Sequence, residues 1–260
     1  VSANIEERRR MQSGIATDLK PAPSSSPLVR KLGALCLLSE EEIEFLEGLQ
    51  NNTLDAERGR DFIVEGNDLR TTFIVIEGWA IRYGLLSNGR RQILSYALPG
   101  DILGLHVNFR ATATYSASAL TPLKLAAVDP RRVIEISQKF PIIAAGLSWC
   151  TAREFAILGD QAIRLGRLSA RQRLAHLFLE LWHRFALIQD EKGNWLEIPM
   201  TQQDLADTLG MSLVHTNRSL KSLRDAGLIS VTRDHVRLND VQALIEMSEF
   251  NPEHLSEFEI

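Results

Sequence analysis

Residues 201–225 constrain this chain more tightly than any other segment. Thr201 with Asp204 three positions on reads as a capping box, with aspartate in place of the usual glutamate. The helix that follows, Gln202 to Leu209, stops at Gly210, because glycine enters a left-handed turn without a Cβ penalty. Ser212 then caps a second helix running to about Asp225. Two short helices joined by so tight a turn must cross steeply, and the residue at the crossing must be small. Ala206 meets that need, so the segment is predicted to be a helix-turn-helix.

On the second helix Leu220, Leu223 and the methyl of Thr216 share one side, which leaves Leu213, Val214, Asn217, Arg218 and Lys221 on an open face. Asparagine can pair with adenine N6/N7, arginine with guanine O6/N7, and valine can touch a thymine methyl. Lys221, Thr201, Gln202, Ser212 and His215 fit phosphate contacts, Thr201 and Gln202 aided by a helix N-terminus. Leu228 to Thr232 and His235 to Leu238, joined at Arg233-Asp234, read as a hairpin wing whose Arg233 and Arg237 could meet a nucleic-acid backbone. Charge alone suggests none of this. Residues 167–240 hold ten Lys and Arg against nine Asp and Glu, and the whole chain carries −4. Any binding to double-stranded DNA is therefore local and geometric, not that of a polycation.

Upstream the pattern changes. Between Phe62 and Val128 short apolar runs alternate with glycines: Phe73 to Ile76, Ala80 to Tyr83, Gln92 to Leu98, Tyr115 to Leu120 and Leu123 to Val128. That spacing predicts a small antiparallel β-barrel. Asn88-Gly89 signals a hairpin in which both residues take positive φ, and Gly66, Gly78, Gly84, Gly100 and Gly104 mark further turns or bulges. Ahead of the barrel two small helices are expected between Leu28 and Leu49, the second capped by Ser39 before Glu40, Glu41 and Glu42. Residues 1–28, polar and rich in serine and proline near their end, read as a mobile arm.

A helix is predicted from Pro141 to about Leu165. One stripe on it, Ile142, Ala145, Trp149, Ala152, Ala156, Gly159 and Ile163, is built mostly of small residues and is assigned to a symmetry mate. A second stripe of larger residues, Leu147, Thr151, Phe155, Leu158, Ala162 and Leu165, is assigned to the chain's own barrel.

From residue 29 to 240 the chain resembles the Crp/Fnr family of bacterial transcription regulators. The resemblance rests on EGNDLRTTFIVIEGWAIRY, GRRQILSYALPGDILGL, GRLSARQRLAHLFLELW and MTQQDLADTLGMSLVHTNRSLKSLRDAGLI, in the family's order and spacing. It implies an α+β protein with an N-terminal antiparallel β-roll (a jelly roll of the cyclic-nucleotide-binding type), a long dimerisation helix and a C-terminal winged helix-turn-helix. The expected divisions are a flexible arm 1–28, a β-roll sensor with flanking helices 29–140, a dimerisation helix 141–168, a winged helix-turn-helix 169–240 and a terminal helix or tail 241–260. The implied partners are a homodimer mate, a palindromic operator and RNA polymerase. Members that bind cyclic AMP carry a glutamate after the second glycine of GDxxGE and an Arg-Ser or Arg-Thr pair further on. Here Leu105 follows Gly104, and Ala113-Thr114 aligns with the pair. A buried cyclic phosphate without an arginine is costly, so cyclic nucleotide binding is not expected. The family's common Glu-x-x-x-Arg becomes Val214 and Arg218, which keeps guanine recognition and loses the cytosine acceptor.

Two cysteines, Cys36 and Cys150, are too few for an iron–sulfur cluster or a zinc site. His106 has no second ligand at a suitable spacing, so no cofactor and no metal are expected. A cupin-like small-barrel enzyme would need converging histidines, and of the six here only His106 lies in the barrel. The protein is read as a regulator and not an enzyme. A cyclic-nucleotide-responsive regulator with an atypical pocket is the alternative. No apolar run approaches the roughly 18 residues needed to cross a bilayer. The start, with Glu6 to Arg10 and no apolar segment behind it, is unlike a secretory signal. A cytoplasmic location without membrane partners is the expectation.

Overall fold

A computed structural model describes residues 25–105, 112–186, 188, 193–232 and 235–252. The predicted arm up to residue 24, His106, Arg233 and the end of the tail lie outside these residues. The arm's last part is corrected: Ser26 caps a helix, Pro27–Gly33 (α1), whose Leu28 is buried. The second helix, Glu40–Gly48 (α2), carries a complete capping box between Ser39 and Glu42.

The barrel consists of β1 (Thr53–Ala56), β2 (Asp61–Ile63), β3 (Thr72–Glu77), β4 (Ala80–Leu85), β5 (Arg91–Ala97), β6 (Ile102–Leu103), β7 (Ser116–Ala119) and β8 (Leu123–Val128). They form two antiparallel four-stranded sheets, ordered β1-β8-β3-β6 and β2-β7-β4-β5. Phe73, Val75, Leu103, Ala117 and Leu125 are buried in the core of the barrel. The hairpin at Asn88-Gly89 differs from expectation. Gly89 alone of the pair has positive φ, at 79°. Leu86 N–H donates to Arg90 O and Gly89 N–H to Leu86 O, which makes a three-residue loop. That is a type I turn ending in a left-handed glycine, and it places no such demand on Asn88.

Helix Pro130–Lys139 (α3), capped by Asp129, leads into the 27-residue helix Pro141–Arg167 (α4). Part of α4 has mean hydropathy 1.2, so by length and composition it could cross a membrane, which a search for unbroken apolar runs misses. Its buried side argues otherwise, because it carries Arg153, Gln161 and Arg164 as well as Ile143, Leu147, Cys150 and Ile157. These residues pack on the chain's own domains, and they correct the two-stripe assignment. Phe155 is 80% exposed, and Thr151, Leu158 and Ala162 also face outward. Of the larger stripe only Leu147 is buried, with Leu165 half-buried. Apolar periodicity alone skips the polar residues that line the true inner face.

The C-terminal domain comprises α5 (Ala170–Ala186), β9 (Trp195–Glu197), α6 (Gln202–Leu209), α7 (Leu213–Asp225), β10 (Ile229–Val231), β11 (His235–Leu238) and α8 (Val241–Ser248). Helix α8 belongs to this domain: Leu244 and Phe250 share a core with Leu174, Phe178 and Leu238. That core is continuous with the outer face of the barrel. Trp79 stacks on Phe185 at 5.2 Å between centroids and meets Tyr96 edge-on at 6.2 Å. The two domains are thus packed together, and α6 lies against β5.

Candidate nucleic-acid interface

Local capping builds the helix pair. Thr201 N–H donates to Asp204 Oδ2 at 2.9 Å, and Asp204 N–H donates to Thr201 Oγ1 at 3.1 Å. Gly210, at φ 61°, ends α6, and its N–H donates to Ala206 O. An added Cβ there would lie 3.1 Å from Leu165 Cδ2 on α4, a contact the leucine tip would have to relieve by a few tenths of an ångström, so it is the positive φ that reserves this turn for glycine. Ser212 Oγ accepts from His215 N–H at 3.3 Å and opens α7. Leu205, Ala206 and Leu209 of α6 and Thr216, Ser219 and Leu223 of α7 are buried, with Leu220 half-buried.

The opposite face of α7 is open. Val214 is 68% exposed, and Leu213, His215, Arg218 and Lys221 are exposed with it. Asn217 is half-buried on the flank of this face, and its buried Oδ1 has no hydrogen-bond partner among the described residues. Gln202 and Ser212 are exposed. Thr201 is exposed too, but its N–H and its hydroxyl, the latter at 2.7 Å, both donate to Asp204. The expected phosphate contact from Thr201 therefore lacks a free donor, and Gln202 is better placed for it.

Beside α7 the wing is a three-stranded antiparallel sheet, β10-β11-β9, with Ser230 opposite Arg237 and Arg237 opposite Trp195. The Arg237 guanidinium lies over the Trp195 ring at 5.5 Å, on an exposed strand position. Asn239 Nδ2 donates to Gly227 O at 3.0 Å and closes the base of the hairpin on the end of α7.

Sequence reasoning missed what holds this unit in place. Arg91 on β5 donates to Asp204 Oδ1 at 2.6 Å and to Asp207 Oδ2 at 3.0 Å. Gln92 and Gln161 both donate to Thr208 O, at 3.0 and 2.6 Å. Tyr96 OH hydrogen-bonds Thr208 Oγ1. These pairs are separated by 47 residues or more, and no local pattern announces them.

The expected mate-facing residues of α4 lie outward: Ile142, Ala145, Ala152, Gly159 and Ile163 are exposed, with Trp149 and Ala156 half-buried. With Phe155, Leu158 and Ala162 they make one broad apolar face.

In the barrel, a cavity of about 320 Å³ is lined by Gly104, Leu105, Tyr115, Cys150, Thr151 and Glu154, among others. Ala113 is buried and Thr114 exposed. Glu154 is already paired with Arg82, whose guanidinium also lies 5.5 Å from the Tyr115 ring centroid. Burial opposes that charge, but Glu154 outweighs it and raises the Arg82 pKa.

Residues 172–247 match the Crp-like helix-turn-helix domain, and residues 54–140 match the cyclic nucleotide-binding domain. The nitrogen fixation regulation protein FixK of Bradyrhizobium diazoefficiens is 33% identical over 175 residues, covering 66% of this chain and 72% of the relative. The chain belongs to the Crp/Fnr family. It is a DNA-binding transcription regulator of that family and not an enzyme. The structure of FixK2 from Bradyrhizobium japonicum superposes with a TM-score of 0.67 at 26% identity, covering 75% of this chain and 96% of that one. A CooA mutant from Carboxydothermus hydrogenoformans shares the Crp/Fnr fold, with a TM-score of 0.63 at 21% identity over 81% and 92% of the two chains. The helix-turn-helix match extends to residue 247, so α8 lies inside the family's domain and not beyond it.

Proposed function

We propose that this Crp/Fnr regulator acts in the cytoplasm as a homodimer joined along α4, offering two copies of α7 to successive major grooves of a palindromic operator. The observation that carries this reading is the open face of α7, where Val214, Arg218 and Lys221 stand outward from a helix anchored by Thr216 and Leu223. Arg218 would read guanine, Val214 a thymine methyl, and Lys221, Gln202, Ser212 and His215 would hold phosphates. Asn217, set lower, would reach a base edge after a rotamer change. RNA polymerase is the further partner that family membership suggests.

Selection of bound duplexes from a random pool by the full chain tests this reading. Paired half-sites about 10–10.5 base pairs apart, centre to centre, or a multiple of that, are expected. Enrichment of single half-sites, or none, would overturn it. The signal is proposed not to be a cyclic nucleotide. Among the described residues lining the barrel cavity the cation is Lys31, already paired with Asp101. Calorimetry with cyclic AMP and cyclic GMP should show no heat at micromolar ligand.

A further inference from the structure

A second, smaller cavity lies where the barrel, α4 and α5 meet, walled by Arg82 and Asp101 of the barrel, Arg153 and Glu154 of α4 and Arg184 of α5. It leaves about 20 Å³ for the centre of a water-sized body, enough for one small species. Arg153 is only 5% exposed, and its Nε and Nη2 are buried with no hydrogen-bond partner among the described residues. Those two nitrogens form one edge of the guanidinium, the fork with which arginine grips an acceptor from the side. The Trp149 ring, 5.2 Å from Arg153 Cζ, covers a face of the group and leaves that edge unmet.

The charged neighbours are paired with one another, while Arg82 Nε and Ser95 Oγ on the same wall also lack a hydrogen-bond partner among the described residues. Asp101 pairs with Lys31 and, at 2.7 Å, with Arg184. Arg184 also donates to Tyr96 O at 2.6 Å and to Glu180 Oε1 at 3.1 Å. Glu180 pairs with Arg164, and Glu154 with Arg82. Five cations, Lys31, Arg82, Arg153, Arg164 and Arg184, thus surround three carboxylates, Asp101, Glu154 and Glu180. Burial and the nearby Arg184 push the Arg153 pKa down to about 10, against the opposing pull of Asp101 and Glu180. The group is still charged at neutral pH, and burying a charge that no carboxylate among the described residues pairs with directly is costly.

We propose that this cavity binds one small inorganic monoanion, of about the size of chloride, held by the Arg153 fork. The anion then ties the sensor barrel to the DNA-binding domain, because α5 supplies one wall and the barrel another. The room available excludes cyclic nucleotides and phosphate esters, which separates this site from the larger cavity at Gly104 and Tyr115. The site also stands apart from operator recognition, and it can fail while that reading holds.

Crystals of the full chain soaked in sodium bromide should show an anomalous peak within hydrogen-bonding distance of Arg153 Nε and Nη2. In solution, sodium chloride titrated against sodium gluconate at constant ionic strength should raise Tm saturably, by about 3–6 °C at ten times the half-saturating concentration. Arg153→Lys keeps the charge but loses the fork, and should flatten that curve. A water without anomalous signal in the cavity, bromide confined to the surface, or an undiminished chloride response in the variant would each overturn the proposal. Should the variant not fold, the bromide peak decides alone.

Discussion

The Arg91 guanidinium donates to the Asp204 carboxylate at 2.6 Å, and the other oxygen of that carboxylate caps α6 by accepting from Thr201. One side chain therefore both starts the first helix of the helix-turn-helix and fastens it to β5. The Arg91 pKa is raised: burial opposes the charge, and hydrogen bonds to Asp207 and Asp204 outweigh it.

The joint use of Asp204 predicts unequal variants. Arg91→Ala should cost about 1 kcal/mol, the range of a partly exposed pair. Asp204→Ala should cost about 2 kcal/mol, because it removes a cap as well. A double-mutant cycle by urea unfolding should return a coupling of about 1 kcal/mol. Strictly additive variants would mean that the domains are not joined through this contact.

Acid should loosen the domain junction. Burial alone would raise the pKa of Asp101, but Lys31, Arg184 and the Leu98 N–H hold it well below the usual carboxylate range. In Glu180 burial is likewise outweighed, here by Arg164 and Arg184, and its pKa is lowered. A depressed carboxylate contributes stability that is complete above its unfolded value near 4 and is lost as pH falls through its folded value. Tm should hold down to about pH 5 and fall below about pH 4. Asp101→Asn should lower stability by about 3 kcal/mol at neutral pH, leaving Lys31 without a counter-charge and Arg184 with Glu180 alone, and should flatten the acid limb. An unchanged limb in Asp101→Asn would assign the acid sensitivity to other groups.

What could be read from the sequence divides by the range of the interaction. The cap at Ser39 is settled within four residues, as are the box at Thr201, the cap at Ser212 and the stop at Gly210, so the helix-turn-helix was legible in detail. Short apolar runs punctuated by glycine placed the barrel, though β1, a short strand without an apolar run and with Thr53 and Asp55 exposed, gave no comparable signal. Gly89 was recognisable as a turn residue, but the number of loop residues depends on the pairing of Leu86 with Arg90. The inner face of α4 was misread because Arg153, Gln161 and Arg164 are buried through polar partners that lie elsewhere in the chain. The contacts of Arg91 with Asp204 and Asp207 span more than a hundred residues and became visible only in three dimensions.

The outward face of α4 gives a prediction about assembly. Phe155, 80% exposed and flanked by Ala152, Leu158, Gly159 and Ala162, is the side chain with most to gain from a mate. Phe155→Glu should leave the monomer folded, since its side chain makes little contact within the chain, while placing a charge in the seam of a dimer. Sedimentation should show a monomer at concentrations where the parent pairs. Affinity for a two-half-site operator should fall by about 10²-fold or more, through loss of the second anchor. A dimer unaffected by the charge would move the mate to another surface.

Arg218 and Lys221 are both exposed and lie three residues apart on α7, close to one turn, yet they should respond differently to truncation. Arg218→Ala, losing a two-pronged grip on guanine, should cost about 1–3 kcal/mol on the selected operator and leave that base position degenerate when selection is repeated. Lys221→Ala, losing a phosphate contact, should weaken specific and non-specific duplexes alike and reduce the slope of log affinity against log salt by about 1 per subunit. Because the two effects are read from different observables, sequence preference for one and salt slope for the other, a swap between them would rotate α7 about its axis in the groove. Parental behaviour of both variants would remove α7 from the duplex altogether.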